Sequence, residues 1–238
     1  MSDTIVSCTG IEKRFTTLSE RGEESNLTIL DGIDFSLKRG YFTAIVGSSG
    51  CGKSTLLNII GMLDRQSAGV LEIEGITIGP ESRSAEELCR MRNQKIGFVF
   101  QNHNLLPEMT AVQNIMIPLL IRGDGKKSAQ ARAEELMAEL FTKEEIDSGV
   151  CNRPPAKMSG GQCQRVSVAR ALSCQPALIL ADEPTGSLDE KSAMLVFDML
   201  HKIQRRHSLS VIMVTHDQAQ ARKVDRVVRL AGGRLNEE

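Results

Sequence analysis

The residues from Gly47 to Thr55 have types and a spacing that suit the binding of a phosphate group. The apolar run Tyr41 to Val46 precedes them and predicts a buried strand, and Leu56 to Leu63 continues as a helix. The glycines permit a tight turn that aims backbone N–H groups inward, so an anion fits there. We expect Lys53 to reach the β- and γ-phosphates and the Ser54 hydroxyl to hold Mg²⁺. A plain glycine-rich surface turn is disfavoured, because the whole Gly-x4-Gly-Lys-Ser spacing lies between a strand and a helix.

Two adjacent carboxylates, Asp182 and Glu183, follow a second apolar strand, Ala177 to Ala181. The carboxyl ends of parallel strands meet at one edge of a sheet, which is where a nucleotide is expected. Neighbouring side chains of a strand alternate in direction, so the two roles differ. We assign Asp182 to Mg²⁺, through water, and Glu183 to the water that attacks the γ-phosphate. An acidic pair that merely opens the Pro184–Gly186 turn is the alternative.

The tetrapeptide Ser159-Gly160-Gly161-Gln162 precedes a predicted helix and forms a second candidate anion site. Unpaired N–H groups of a first helical turn and the helix dipole both favour negative charge. One chain already has its own phosphate loop. A second site without a lysine makes sense if it closes over nucleotide held by another copy, with two ATP molecules between two domains. By composition alone, an ordinary loop is as good an interpretation.

Three further polar positions are candidates for nucleotide chemistry. Gln101 ends the strand Ile96–Phe100, and its amide can meet Mg²⁺ or the attacking water, although a capping glutamine is the alternative. His216 follows the strand Ser210–Thr215 and can hydrogen bond the γ-phosphate, unless it is a structural histidine. Ser187-Leu188-Asp189 can cross to a partner copy, and a helix cap is nearly as good an interpretation.

The composition limits the classes of partner and compartment. With 238 residues, 41% of them hydrophobic, the chain can bury a core as one globular domain with an inserted subdomain. Its 29 basic and 30 acidic residues leave a net charge near zero, which does not favour nucleic acid or an anionic membrane. Six scattered cysteines without a Cys-x-x-Cys pair favour a reducing compartment over a zinc or disulfide framework. The longest apolar run, Ile115–Ile121, is short and contains Pro118, so we expect another protein to span any membrane involved.

Strand and helix patterns alternate along the chain, which predicts an α/β fold with a mostly parallel sheet covered on both faces. An antiparallel part near the N-terminus is predicted from Ile5–Ile11, Leu30–Leu37 and the hairpin pattern Val70–Ile78. Ser84, with Glu87 three residues on, predicts a helix start. From Asn102 helical patterns take over, including one with Ala129, Ala133, Leu136, Met137 and Leu140 on one face. We therefore predict an inserted helical subdomain at 102–155 and an ATP-binding core at 1–101 and 156–238.

In type and order these motifs resemble those of the ATP-binding cassette (ABC) superfamily of transporter ATPases, along nearly the whole chain. The resemblance implies a P-loop NTPase fold in a single nucleotide-binding domain, residues 1–238. It assigns the Walker A loop to Gly47–Thr55, the Q-loop to Gln101, the signature to Ser159–Gln162, the Walker B strand to Leu178–Asp182, the catalytic glutamate to Glu183, the D-loop to Ser187–Asp189 and the switch histidine to His216. Met158 stands where the family usually has Leu, a volume-conserving change.

The same resemblance implies which residues bind ATP and Mg²⁺. Glu183, His216 and Gln101 are the expected catalytic residues, and Ser54, Gln101 and Asp182 the expected Mg²⁺ ligands. Phe15 matches the aromatic residue that stacks on adenine, although a core phenylalanine is a comparable interpretation. The other expected ATP-binding residues are Gly47, Ser48, Ser49, Gly50, Cys51, Gly52, Lys53, Ser54, Thr55, Ser159, Gly160, Gly161 and Gln162.

A narrower resemblance is to the lipoprotein-releasing ATPase branch, which also contains macrolide-export and cell-division cassettes. It is carried by Gly61–Asp64, Arg92–Gln101, Leu105–Pro107, Thr110–Asn114 and Pro118–Leu120. It implies a peripheral ATPase at the cytoplasmic face of an inner membrane, paired with a second copy in an ATP-sandwich dimer. Its other partners would be integral membrane permease subunits, with lipoprotein cargo engaged only indirectly.

Two alternatives remain open within this branch, the ATPase of a macrolide-type exporter and a regulatory scaffold of cell division. A cassette acting on nucleic acid is disfavoured by the balanced charge, the single cassette and the lack of coiled-coil or zinc insertions.

Overall fold

The computed structural model describes residues 3–18 and 24–237. The chain divides into two compact units. The first unit combines Met1–Cys89 with Ile212–Glu238, and the second is Arg90–Val211.

The first unit contains an antiparallel sheet with the strand order β2-β1-β4-β5, as predicted for the N-terminal part. Its strands are β1 (Thr4–Leu18), β2 (Glu24–Lys38), β4 (Ala68–Ile73) and β5 (Ile76–Ile78). The hairpin β4–β5 turns at Glu74 and Gly75, with φ of 49° and 76°. Positive φ at both central residues matches the twist of a two-residue hairpin.

The strands β1 and β2 are longer than the predicted Ile5–Ile11 and Leu30–Leu37. Register irregularities between Cys8 and Arg14 let the pairing continue into polar sequence, where Phe15 faces Leu27. The segment Ser19–Asn26 reads as a polar loop in the sequence, but residues 24–26 belong to β2, and residues 19–23 lie outside the described part of the chain.

A second set of strands in the first unit surrounds β3 (Phe42–Val46), all of whose residues are buried. Here the strand order is β10-β9-β3-β8. β9 (Arg226–Ala231) is parallel to β3 and antiparallel to β10 (Arg234–Glu237). β8 (Ser210–Val214) ends in this unit, where α1 (Lys53–Ile60) and α8 (Gln218–Ala221) also lie.

The second unit combines the strands in the order β8-β7-β6 with most of the helices. β6 (Ile96–Phe100) runs parallel to β7 (Leu178–Asp182). The helices are α2 (Ala85–Lys95), which begins before the unit boundary, α3 (Ala111–Arg122), α4 (Lys126–Leu140), α5 (Lys143–Asp147), α6 (Gly160–Leu172) and α7 (Glu190–His207), with short 3-10 turns at Val150–Asn152 and Pro155–Lys157.

The α/β class and the mostly parallel core sheet are confirmed. The predicted face of α4 is also confirmed, since Ala129, Ala133, Leu136, Met137 and Leu140 are all buried. The predicted boundaries of a helical subdomain at 102–155 stay a prediction. Over residues 3–18 and 24–237, no helix combines the length and apolarity needed to span a bilayer.

Candidate functional site

The loop after β3 in the first unit has the backbone geometry of a phosphate cradle. A β-carbon on Gly47 would lie 2.4 Å from the carbonyl oxygen of Leu230, so no side chain fits there. Gly50 and Gly52 have φ of 76° and 104°, a left-handed conformation that glycine adopts without steric cost. Together they turn the chain sharply from the strand into α1.

Lys53 is folded back over this loop. Its ammonium donates hydrogen bonds to the carbonyl oxygens of Gly47, at 2.9 Å, and Ser48, at 2.8 Å. The residue is only 6% exposed, so its charge is largely removed from water. A desolvated cation held by neutral carbonyls attracts an anion strongly, because little water screens it.

The first turn of α1 adds backbone donors to this positive centre. Among the described residues, no side chain caps α1, whose N-cap is Gly52. By contrast, the starts of α3, α5 and α6 each carry a capping box. Uncapped N–H groups and the helix dipole make the start of α1 suited to phosphate oxygens.

The remaining loop residues line the same turn. Ser48, Ser49, Gly50 and Ser54 are exposed, while Thr55 is half-buried. The half-buried Cys51 has its Sγ 4.0 Å from Lys53 Nζ. The nine residues from Gly47 to Thr55 therefore form one continuous turn from the end of β3 into α1.

His216 belongs to the first unit and lies at the same edge of the sheet as this loop. The N–H of Thr215, the residue before it, donates to the carbonyl of Ile45 in β3, at 3.2 Å. His216 itself is exposed. The next residue, Asp217, accepts from the N–H groups of Ala219 and Gln220 and so caps α8.

Phe15 is not a core residue. It lies on β1, is 41% exposed, and has the Lys13 ammonium 4.8 Å from its ring centroid. The core interpretation that the sequence left open is therefore wrong. An exposed aromatic ring is available for stacking on a planar ligand.

In the second unit, parallel pairing aligns the ends of β6 and β7, with Phe100 opposite Asp182. Gln101 and Glu183 each follow directly. A β-carbon on Gly186 would lie 3.0 Å from Gln101 Nε2 and 3.2 Å from Glu183 Oε2, so both side chains end beside Gly186. The two candidate catalytic side chains of this unit therefore converge.

Glu183 has φ of 45°, in the left-handed region. For a residue with a side chain this costs on the order of 1–2 kcal/mol. A turn holds it there, since the N–H of Gly186 donates to the Glu183 carbonyl at 3.0 Å. Nearby, Ser187 Oγ donates to the Gln101 carbonyl at 2.8 Å.

The tetrapeptide at the start of α6 is reciprocally capped. Ser159 Oγ accepts from the Gln162 N–H at 3.2 Å, and Gln162 Oε1 accepts from the Ser159 N–H at 3.1 Å. Ser159 and Gly160 are exposed, and Gly161 and Gln162 are half-buried. The expectation that the first-turn N–H groups of this helix are unpaired is therefore wrong for the Gln162 N–H, and the Ser-x-x-Gln spacing of a capping box could have shown this.

The structure shows two further capping residues, Asp189 and Glu145. Asp189 accepts from the Ser192 N–H at 3.0 Å and caps α7, as one of its two interpretations predicted. Glu145 was missed by sequence reasoning, although Thr142-x-x-Glu145 is a capping box. Its carboxylate also accepts from Gln162 Nε2 at 3.3 Å and from both Arg165 Nη atoms.

A buried parallel strand, a glycine-rich loop closed by a buried lysine, and a helix with an uncapped start define a P-loop nucleotide-binding protein. A family model described as "ABC transporter" matches residues 30–186. The chain belongs to this family, and its activity is ATP hydrolysis coupled to transport.

The chain is similar to curated relatives along nearly all its length. It is 42% identical over 232 residues to lipoprotein-releasing system ATP-binding protein LolD 1 of Caulobacter vibrioides, covering 97% of this chain and 94% of that protein. It is 40% identical to LolD of Legionella pneumophila strain Lens, covering 89% of this chain and 90% of that protein.

Solved structures with a similar fold include two of the cassette MJ0796. One is described as a dimeric bacterial ABC transporter cassette, with 35% identity, a TM-score of 0.85 and 98% of both chains covered. The other is a dimeric post-hydrolysis state bound to ADP and Pi, with 34% identity, a TM-score of 0.84 and the same coverage.

Proposed function

We propose that this chain is the ATP-hydrolysing subunit of an inner-membrane ABC transporter that releases lipoproteins toward the outer membrane. The hydrolytic half of the proposal is carried by one observation, the buried Lys53 closing a glycine-rich loop at the uncapped start of α1. The lipoprotein half is supported by full-length relatives named as lipoprotein-releasing ATP-binding proteins.

In this proposal the phosphate loop binds the nucleotide and Phe15 stacks on adenine. Loop N–H groups and Lys53 bind the phosphates, because Lys53 is folded over the loop and its positive charge is poorly screened. The exposed ring of Phe15 provides an apolar face for the base.

The residues present fit a Mg²⁺ ion that is bound partly by the protein and partly by the phosphates of the nucleotide. In the described part of the chain, no three His, Cys, Asp or Glu side chains cluster into a metal site. Mg²⁺ commonly takes one or two protein oxygens together with phosphates and waters, and it would neutralise phosphate charge. Ser54, Asp182 and Gln101 are the residues that would hold it.

Three side chains are proposed to serve hydrolysis itself. Glu183 accepts the proton of the attacking water, and Gln101, beside it at Gly186, orients that water. His216 donates a hydrogen bond to the γ-phosphate. The left-handed backbone of Glu183 supports a functional constraint at this position, since such strain persists where a site requires it.

The proposed working unit contains two copies. Ser159 to Gln162 of one copy would close over nucleotide bound by the phosphate loop of the other. The exposed start of α6 and the dimeric state of the MJ0796 cassette support this arrangement. Permease subunits in the membrane are the other proposed partners, and they, rather than this chain, would contact the lipoprotein.

The proposed location is the cytoplasmic face of the inner membrane, with this chain attached as a peripheral subunit. The transporter-family match and the names of the relatives support it.

Glu183→Gln tests the catalytic assignment. The amide cannot accept the proton of water, so we expect turnover to fall by about 10²- to 10⁴-fold with ATP affinity preserved. Steady-state ATPase assays and equilibrium ATP binding measure this. Asp198→Asn, an exposed acid on α7, is the control. Near-normal hydrolysis by Glu183→Gln would overturn the role.

The same variant tests the transport assignment. Glu183→Gln loaded with Mg-ATP in solubilised membranes should copurify with permease subunits that carry lipoprotein. Copurification with macrolide-exporter or division proteins instead would refute the lipoprotein half while leaving the ATPase half standing.

A further inference from the structure

Gln164 on α6 is a fully buried polar side chain, with 0% exposure, that joins three separate segments. Its Nε2 donates to the carbonyl of Pro184 at 2.6 Å and to that of Phe100 at 3.3 Å. Its Oε1 pairs with Nδ1 of His103. Every polar atom of the amide therefore has a partner.

These partners leave the amide one orientation. The carbonyls of Pro184 and Phe100 can only accept, so the NH₂ group must face them and the oxygen must face His103. Nδ1 of His103 must then carry a proton and donate it to Gln164 Oε1. A reversed amide would set its oxygen against these two carbonyls and lose both of their hydrogen bonds.

One of the joined segments follows Gln101. His103 and Asn104 have φ of 61° and 48°, in the left-handed region. Arg170, also on α6, donates to their carbonyls at 2.8 Å and 2.5 Å. Side chains of one helix thus hold this segment in a backbone conformation that is costly for residues other than glycine.

The other joined segment follows Glu183. Pro184 is the next residue, and Glu183 itself is left-handed, with φ of 45°. The short bond from Gln164 to the Pro184 carbonyl, at 2.6 Å, therefore acts one peptide away from the proposed base. Phe100, the second acceptor, is one residue before Gln101.

We propose that Gln164 is a positioning residue for ATP hydrolysis, whose buried amide holds the segments carrying Gln101 and Glu183 in one fixed arrangement. This inference rests on the proposed function, because it requires those two side chains to act on the attacking water. The helix α6 begins within the tetrapeptide Ser159–Gln162. A displacement of α6 would therefore move the segments that carry Gln101 and Glu183 through the Gln164 side chain.

Gln164→Glu, made in the whole 238-residue chain, is the sharpest test. It keeps the shape but replaces the donor to two carbonyls with a second acceptor. We expect kcat to fall by about 10-fold or more, with KM for ATP and the affinity for a non-hydrolysable ATP analogue within about twofold of wild type. Retained affinity for the analogue would show that the phosphate loop, which lies in the first unit, is still folded.

Ser167→Ala is the matched control, because Ser167 is equally buried on α6 and its Oγ makes no hydrogen bond within the described chain. It should leave kcat and KM unchanged. An unchanged kcat in Gln164→Glu, or an equal loss in Ser167→Ala, would overturn the positioning role.

His103 provides a second test if Gln164→Glu folds poorly. His103 is only half-buried and aspartate tolerates its positive φ, so His103→Asp should fold while removing the donor to Gln164 and lowering kcat by about 3- to 10-fold. His103→Asn should restore most of this, since its amide can donate from a similar place and asparagine tolerates positive φ. Equal activity of the two His103 variants would contradict the inference.

The outcomes separate this inference from the proposed function. A wild-type chain without ATPase activity would refute both. Normal wild-type turnover, a strong Glu183→Gln defect and an unaffected Gln164→Glu would refute the positioning role alone.

Discussion

Lys53 illustrates how much of the proposed chemistry depends on a single buried charge. Its ammonium is satisfied by two carbonyls of its own loop, Gly47 and Ser48, so the loop and the charge are held together. Replacing the donor removes both the closure of the loop and the attraction for phosphate.

Lys53→Met should weaken ATP binding by about 10- to 150-fold, which corresponds to the free energy of a hydrogen bond made by a charged group. Equilibrium titration with ATP measures the change. Lys127→Met, at an exposed position of α4, is the control for loss of a positive charge. ATP affinity unchanged in Lys53→Met would contradict the assignment of this lysine.

Between helices, the cluster around Glu145 joins α5 to α6. The Arg165 guanidinium donates to both carboxylate oxygens and lies 4.4 Å from the Phe141 ring centroid. Hydrogen bonds from Arg165 foremost, with those from Thr142 and Gln162, lower the Glu145 pKa to about 2. The ionised carboxylate of Glu145 therefore stabilises the second unit.

The pH dependence of stability follows from the direction of this shift. The folded pKa of Glu145 lies below its ordinary value of 4.5. The contribution of this carboxylate to the free energy of unfolding is therefore complete above pH 4.5 and is lost as pH falls toward about 2. Glu145→Gln should therefore unfold more easily than wild type near neutral pH, by about 1 kcal/mol after allowance for partial exposure.

Denaturant unfolding at several pH values tests this. Between pH 4.5 and about 2, stability of Glu145→Gln should depend less on pH than that of wild type. Glu108→Gln, at an exposed residue outside the cluster, is the control. Parallel curves for wild type and Glu145→Gln would show that the ion pair contributes nothing to stability.

For the whole molecule, the proposed action needs two copies, since each chain has one phosphate loop and one signature tetrapeptide. Ser159, at the exposed start of α6, would lie in the contact. An arginine there would add bulk and charge to that surface and also remove the helix cap.

Ser159→Arg should therefore abolish ATP-dependent dimers of the Glu183→Gln chain while leaving ATP affinity within about twofold. Ser159→Ala separates the two effects, because it removes the cap, at about 1 kcal/mol, without adding bulk or charge. Light scattering with and without Mg-ATP measures the state. A normal dimer of the arginine variant would refute the cross-copy site.

Local patterns in the sequence were sufficient for the class of fold and for the parts of the site made by neighbouring residues. The strand, loop and helix around Gly47–Thr55, the hairpin β4–β5 and the buried face of α4 all follow from short-range spacing. The cap of α2 is similar, since Ser84 and Glu87 bond each other as predicted.

Contacts between distant residues needed the folded chain. His103 and Gln164 are 61 positions apart, and nothing in either neighbourhood marks them as partners. The exposure of Phe15 and the left-handed backbone of Glu183 are likewise set by packing around them. Spacing along a chain encodes turns, caps and faces, whereas the orientation of a buried amide depends on which carbonyls the whole fold brings to it.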